Sequence, residues 1–110
     1  MDKKIMLVTV PDRESGGRIA DALLAGKLAA CVSILPGVES RYVWEGRIET
    51  GNELLLLIKT RADLLEAVQA KVSELHPYEV PEILALPIEF GALPYLRWMD
   101  DVFGPPGGVA

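Results

Sequence analysis

The nine residues ELHPYEVPE, positions 74 to 82, hold the chain's single histidine with three glutamates, a tyrosine and two prolines. Imidazole and carboxylate groups gathered this closely could hold a metal ion or move a proton. Their spacing restricts both. Glu74 and His76 are two apart and share no helix face, and Glu79 and Glu82 point to opposite sides of an extended chain. The segment cannot chelate alone. A Cu(II) or Zn(II) site on His76 and Glu79 needs a further ligand from another segment or another subunit. Every residue here also has a structural use: Pro77 drives His76 out of the helical region, a histidine suits a helix's last turn, and Pro81 suits the start of an edge strand.

Other chemistry-bearing residues are scattered. Cys31, in LAACVSIL, reads as a packed thiol in a strand, and no Asn or Asp is placed to orient His76 as its partner in a nucleophilic pair. Trp44-Glu45-Gly46 reads as a hairpin turn anchored by an indole, with the Glu45 carboxylate at an expected interface. Lys59 follows an apolar run and is a solvated strand end, a counter-charge for a buried carboxylate, or a hold for an anionic ligand. PDRESGGR has neither the GxGxxG nor the P-loop pattern, so no phosphate cradle is indicated. Nucleophile, base and orienting residue cannot be placed together, and an enzyme is not expected.

These residues have to be positioned by one small domain. A chain of 110 residues buries roughly two-thirds of its unfolded surface, enough for one core. Sixteen acidic side chains against eleven basic ones give a net charge of -5, the wrong sign for a nucleic-acid partner. No apolar run is long enough to cross a membrane or serve as a signal peptide, and a lone cysteine excludes an internal disulfide. A cytoplasmic protein is expected, with no membrane or nucleic-acid partner.

KIMLVTV, residues 4 to 10, reads as a buried strand ending at Pro11. A helix follows, capped by Asp12 or Ser15, ended by Gly26 and weakened by Gly16 and Gly17. Residues 29 to 44 and 47 to 60 read as two long strands of a hairpin closed near Gly46. The first is kinked at Pro36-Gly37 and the second interrupted at Thr50-Gly51-Asn52. The second helix carries Leu64, Leu65, Val68, Val72 and Leu75 on one stripe, with Thr60 and Asp63 as a capping box. Residues 80 to 88 alternate as an edge strand, and Leu93, Leu96 and Met99 mark a last short helix. The expected fold is α+β, a ferredoxin-like βαββαβ sandwich with a long central hairpin and a C-terminal helix. It is one domain over residues 1–103 with a flexible tail over 104–110. Strands of about 14 residues outrun what two helices can cover, which points to pairing between subunits in a closed ring.

In order along the chain, TVPDRE, KLAACVSILPGVESRYVWEGRIE, ELLLLIKT, ELHPYEVPEILALPI and YLRWM resemble the CutA family of divalent-cation-tolerance proteins. The resemblance covers about residues 4 to 101. It implies a homotrimer similar in architecture to the PII signalling proteins, a role in tolerance of copper and other divalent cations, and no established enzymatic activity. It also implies a cleft between subunits lined by Trp44, Glu45, Lys59, His76, Tyr78 and Glu79. Members proposed to bind copper have a cysteine and a second histidine where this chain has Val8 and Leu75. The expectation here is therefore weak Cu(II) or other divalent-cation binding at His76 and Glu79, with no obligatory cofactor, and small-ligand contacts at Trp44, Glu45, Lys59 and Tyr78. The alternatives are a PII-like sensor of a small anionic metabolite and a structural trimeric scaffold.

Overall fold

The computed structural model describes residues 2–106. Along the chain run β1 (Lys3–Val10), α1 (Arg13–Ala25), β2 (Cys31–Trp44), β3 (Arg47–Arg61), a 3-10 turn (Ala62–Leu64), α2 (Leu65–Leu75), β4 (Leu84–Pro87) and α3 (Leu93–Phe103). The four strands form one antiparallel sheet in the order β2-β3-β1-β4. This is the expected α+β ferredoxin-like βαββαβ order with an added helix. Of the tail expected from residue 104, residues 107–110 lie outside the described residues.

Alternation along the strands gives the sheet two different faces. Met6, Val8, Val10, Leu56 and Ile58 point to one side and form the core with Ile19 and Leu23 of α1 and Val68 and Val72 of α2. Each such side chain contributes about 1.5 to 3 kcal/mol by leaving water. Asp12 caps α1, its Oδ1 accepting the Ser15 backbone N–H at 2.8 Å, and that bond first of all holds the carboxyl below the usual range. Gly16 does not simply weaken α1: a Cβ there would stand 3.2 Å from Val10 Cγ2, so glycine lets the helix lie close on β1.

The hairpin is as long as expected, with strands of 14 and 15 residues, and it draws the molecule out to 46 × 27 × 23 Å. Its turn has φ of 51° at Glu45 and 77° at Gly46, both left-handed, which matches the right-handed twist of the strands. The register jumps from Leu35↔Leu55 to Val38↔Glu53, so the Pro36-Gly37 kink is a bulge, with Gly37 at φ 77°. No interruption occurs at Thr50-Gly51-Asn52. There β3 continues, and the space left by the missing Gly51 side chain is bordered by the Tyr42 ring.

Two expected boundaries move. Thr60 does not cap α2. It is a fully buried strand residue whose hydroxyl donates to the Leu28 carbonyl at 2.7 Å, while Asp63 accepts from Arg61. The edge strand is only Leu84–Pro87, because residues 76–83 are spent carrying the chain from the end of α2 around the sheet edge, and Pro81 has no N–H for a ladder.

The second sheet face is largely open. At one end α3 covers it, packing Met99 and Phe103 against Ala30 and Leu64. An ionic clamp fixes this helix. Arg61 makes a two-point contact with Asp63 at 2.8 and 3.2 Å, and it also reaches Asp100 at 3.2 Å, the Gly104 carbonyl at 3.0 Å and the Phe103 ring. Over the rest of that face and along the hairpin, Leu35, Tyr42, Val43, Trp44, Ile48, Leu84 and Leu86 remain exposed.

Candidate functional site

A cavity of about 650 Å³ lies at the other end of the open face, between the outer half of the hairpin and the segment that follows α2. Tyr42 and Trp44 of β2, two residues apart and so on one side of the strand, form an aromatic wall. Across from them stand Tyr78 and Glu79, and between them Glu53 rises from β3.

Glu53 is only 9% exposed, and its Oε2 accepts the Tyr78 hydroxyl at 2.9 Å. Burial, then the bond to Glu53 and that residue's charge, push the Tyr78 phenol up to about 12. The phenol hydroxyl is the donor in this pair. Sequence reasoning missed Glu53. The signal was present: it is the one carboxylate directly joined to the apolar run of β3, at a position sharing its side of the sheet with Leu55 and Leu57.

His76 has a different place. As the residue after α2 it has extended backbone, as Pro77 requires, and its N–H closes the helix on the Val72 carbonyl at 2.8 Å. Its Nε2 lies 2.7 Å from the Thr9 carbonyl, which can only accept, and its Nδ1 accepts the Tyr78 backbone N–H at 3.0 Å. Both ring nitrogens are used. His76 is 8% exposed, and in this conformation both ring nitrogens are engaged within the chain, so the imidazole acts as a strut beside Tyr78. Glu79 does line the cavity, and it is exposed. Among the described residues no three His, Cys, Asp or Glu side chains are grouped to hold a metal ion.

The other expected residues divide. Trp44 and Tyr78 line the cavity; Glu45 sits in the hairpin turn outside it. Lys59 is outside it too, six residues along β3 from Glu53. Its Nζ donates to Ser33 Oγ and lies 3.7 Å from Cys31 Sγ. Cys31 is partly exposed on the open face and not in the core, since it pairs opposite Lys59. Beside it is Tyr95, whose phenol is pushed up first by burial and then by Cys31. The cavity's own charges are mainly negative. Glu53, Glu79 and Glu82 face a single Arg41, and its Nε is already held by Glu39 at 2.9 Å. The site suits a cation better than an anion.

A sequence model described as CutA1 divalent ion tolerance protein matches residues 4–102. The chain belongs to this family. It is 45% identical over 102 residues to the divalent-cation tolerance protein CutA of Thermus thermophilus, a match covering 93% of this chain and 99% of that one. It is 52% identical over 97 residues to the chloroplastic CutA 1 of rice, covering 88% of this chain and 55% of the rice protein. The chain thus spans about half the length of its chloroplastic plant relatives. Solved structures agree. The CutA1 crystal structure from Oryza sativa superposes with a TM-score of 0.90 at 48% identity, covering 93% of this chain and 94% of that one. The Thermus thermophilus protein also gives 0.90, at 45% identity, with 93% and 99% covered. CutA1 relatives are named as tolerance proteins and not as enzymes. Their named locations differ, with plant members called chloroplastic and one from Archaeoglobus fulgidus called periplasmic.

Proposed function

We propose that this CutA1 family member serves divalent-cation tolerance as a cytoplasmic homotrimer without catalytic activity or an obligatory cofactor, binding cations weakly in the Glu53 cavity. The observation that carries the site is Glu53. It is a buried carboxylate with one oxygen held by Tyr78, at the floor of a cavity whose other charges are mostly negative. Oxygen donors of this kind suit hard divalent ions, and Glu79 supplies a second carboxylate on the same wall. Among the described residues too few ligands converge for tight coordination, which agrees with weak binding or with completion of the site by a neighbouring copy. The trimer reading rests on the exposed apolar residues of the open face and on the projecting hairpin, features that association would cover.

Isothermal titration with Cu(II), Zn(II) and Mn(II) tests the site. Glu53→Gln is expected to weaken binding strongly and His76→Ala, which acts on the cavity only through Tyr78, to change it by no more than about twofold; equal affinity in wild type and Glu53→Gln removes the site. Sedimentation equilibrium at micromolar concentration tests assembly, and a monomer there would remove the trimer. The PII-like sensor reading has its own support in Lys59. No carboxylate pairs with it among the described residues, and its partners Ser33 and Cys31 are neutral groups able to give way to an anion. A thermal-shift screen of anionic metabolites in which Lys59→Ala abolishes the hits would favour that reading.

A further inference from the structure

Resting on the reading of this cavity as a cation site, we infer that its preferred occupant is a small organic ammonium ion and not a bare metal ion. Size is the first observation. The half-open cleft, at about 650 Å³, has the volume of a small-molecule pocket, and it is far larger than a dehydrated metal ion needs. The wall is the second. Tyr42, Trp44 and Tyr78 supply three aromatic rings, each partly exposed toward the cavity, and such rings attract a weakly hydrated ammonium through their negative faces. A strongly hydrated divalent ion gains little from them, because it would first have to shed water for oxygen ligands that are too few here.

Glu53 supplies the charge. It is more than nine-tenths buried at the floor of the cavity, and the Tyr78 hydroxyl takes only Oε2, leaving Oε1 as an acceptor or counter-charge for the ligand. Tyr78 is thus fixed by three contacts, through its hydroxyl to Glu53, its N–H to His76 Nδ1 and its ring against the imidazole at 4.8 Å. A ring held this way adds cation attraction at little cost in ordering. Arg41, the one cation on the wall, is drawn aside by Glu39 and does not neutralise Glu53 in place of a ligand.

Tetramethylammonium and tert-butanol, a cation and a neutral group of similar bulk, separate charge from simple filling. Titrations monitored by Trp44 fluorescence, in a Trp98→Phe background so that one indole reports, are expected to show the ammonium binding at least about tenfold more tightly than the alcohol. Glu53→Gln should lower ammonium affinity by about tenfold and leave the alcohol unchanged. Trp44→Leu, read by calorimetry on protein shown by sedimentation to keep the wild-type assembly, should weaken the ammonium too. Equal affinity for the two probes, or no effect of Glu53→Gln, overturns the proposal. Binding of Mn(II) lost in Glu53→Gln, without ammonium binding, overturns it while sparing the cation cavity; if neither cation binds, both fail.

Discussion

Arg61 and Glu53 stand eight residues apart on β3, so the pleat puts both on the open side of the sheet, and both are almost wholly buried. Their surroundings are opposite. Arg61 is saturated: Asp63, Asp100, the Gly104 carbonyl and the Phe103 ring all meet the guanidinium, and the Asp63 bond above all raises its pKa. Glu53 has one partner and faces open space. A buried charge is costly, so it persists where local partners offset the cost or where something else does. At Arg61 the offset is visible within the chain and its use is to hold α3. At Glu53 the offset is incomplete within one chain, which is the mark of a site and not of a strut.

The largest effect is expected at the saturated end. Arg61→Met should cost about 3 kcal/mol in chemical denaturation, since it removes the buried guanidinium that joins Asp63 and Asp100 and leaves α3 without its clamp. A loss below about 1 kcal/mol would mean that the clamp is not structural, and the contrast with Glu53 would disappear. The clamp is also pH-sensitive in a stated direction. Burial pushes Asp100 up, but hydrogen bonds from Lys3 and Arg61 outweigh it and leave the carboxyl below its usual value. A lowered folded pKa gives stability that is present above the unfolded value near 3.8 and lost as pH falls through the folded one. Below about pH 4 the wild type should therefore lose stability more steeply than Asp100→Asn, as acid titration of α3 contacts would show.

His76 comes next. His76→Ala removes the bonds to Thr9 and Tyr78 and should cost about 1 to 2 kcal/mol, while affinity for divalent ions at the cavity stays within about twofold. A large loss of metal affinity with unchanged stability would restore the imidazole as a ligand. At Glu53 the pattern reverses. Glu53→Gln should change stability by less than about 0.5 kcal/mol, because the amide oxygen still accepts from Tyr78, yet it should lose cation binding.

How much of this was legible in the sequence depends on the range of the interaction. Strand and helix order follow from local periodicity, and the Pro36-Gly37 bulge and the Glu45-Gly46 turn are written in residues that the backbone geometry demands. Pro77 ends α2 at His76 for the same local reason. What local pattern could not give was the partner across the sheet. His76 meets Thr9, 67 positions away, and Glu53 meets Tyr78, 25 positions away, so neither the spending of the imidazole nor the cavity floor shows in spacing. Lys59 was grouped with Trp44 and Tyr78 by resemblance, but the register sets it opposite Cys31 and the bulge lies between it and the outer hairpin. Thr60 and Asp63 fit a capping box in sequence; the need of Arg61 for a carboxylate overrode it.

The smallest expected effect is spectroscopic and bears directly on the unsaturated end. The Tyr78 phenol should ionise near pH 12, with burial as the larger cause and Glu53 as the second. Because the folded value is raised, the contribution to stability is whole below the unfolded value near 10 and is lost as pH climbs toward 12. Glu53→Gln should bring the phenol only part of the way back, since burial remains when the negative charge is gone. Return of the full shift to the ordinary phenol value would make Glu53 the whole cause and the cavity wet; no movement would mean that the carboxylate and the phenol are not in contact. An ammonium ion seated against Glu53 should bring the raised phenol value down in wild type, because a cation nearby favours the phenolate, and should leave it unmoved in Glu53→Gln. That dependence of a tyrosine's titration on an occupant of its own cavity has no counterpart at Arg61, whose charge is held by Asp63, Asp100 and the Gly104 carbonyl.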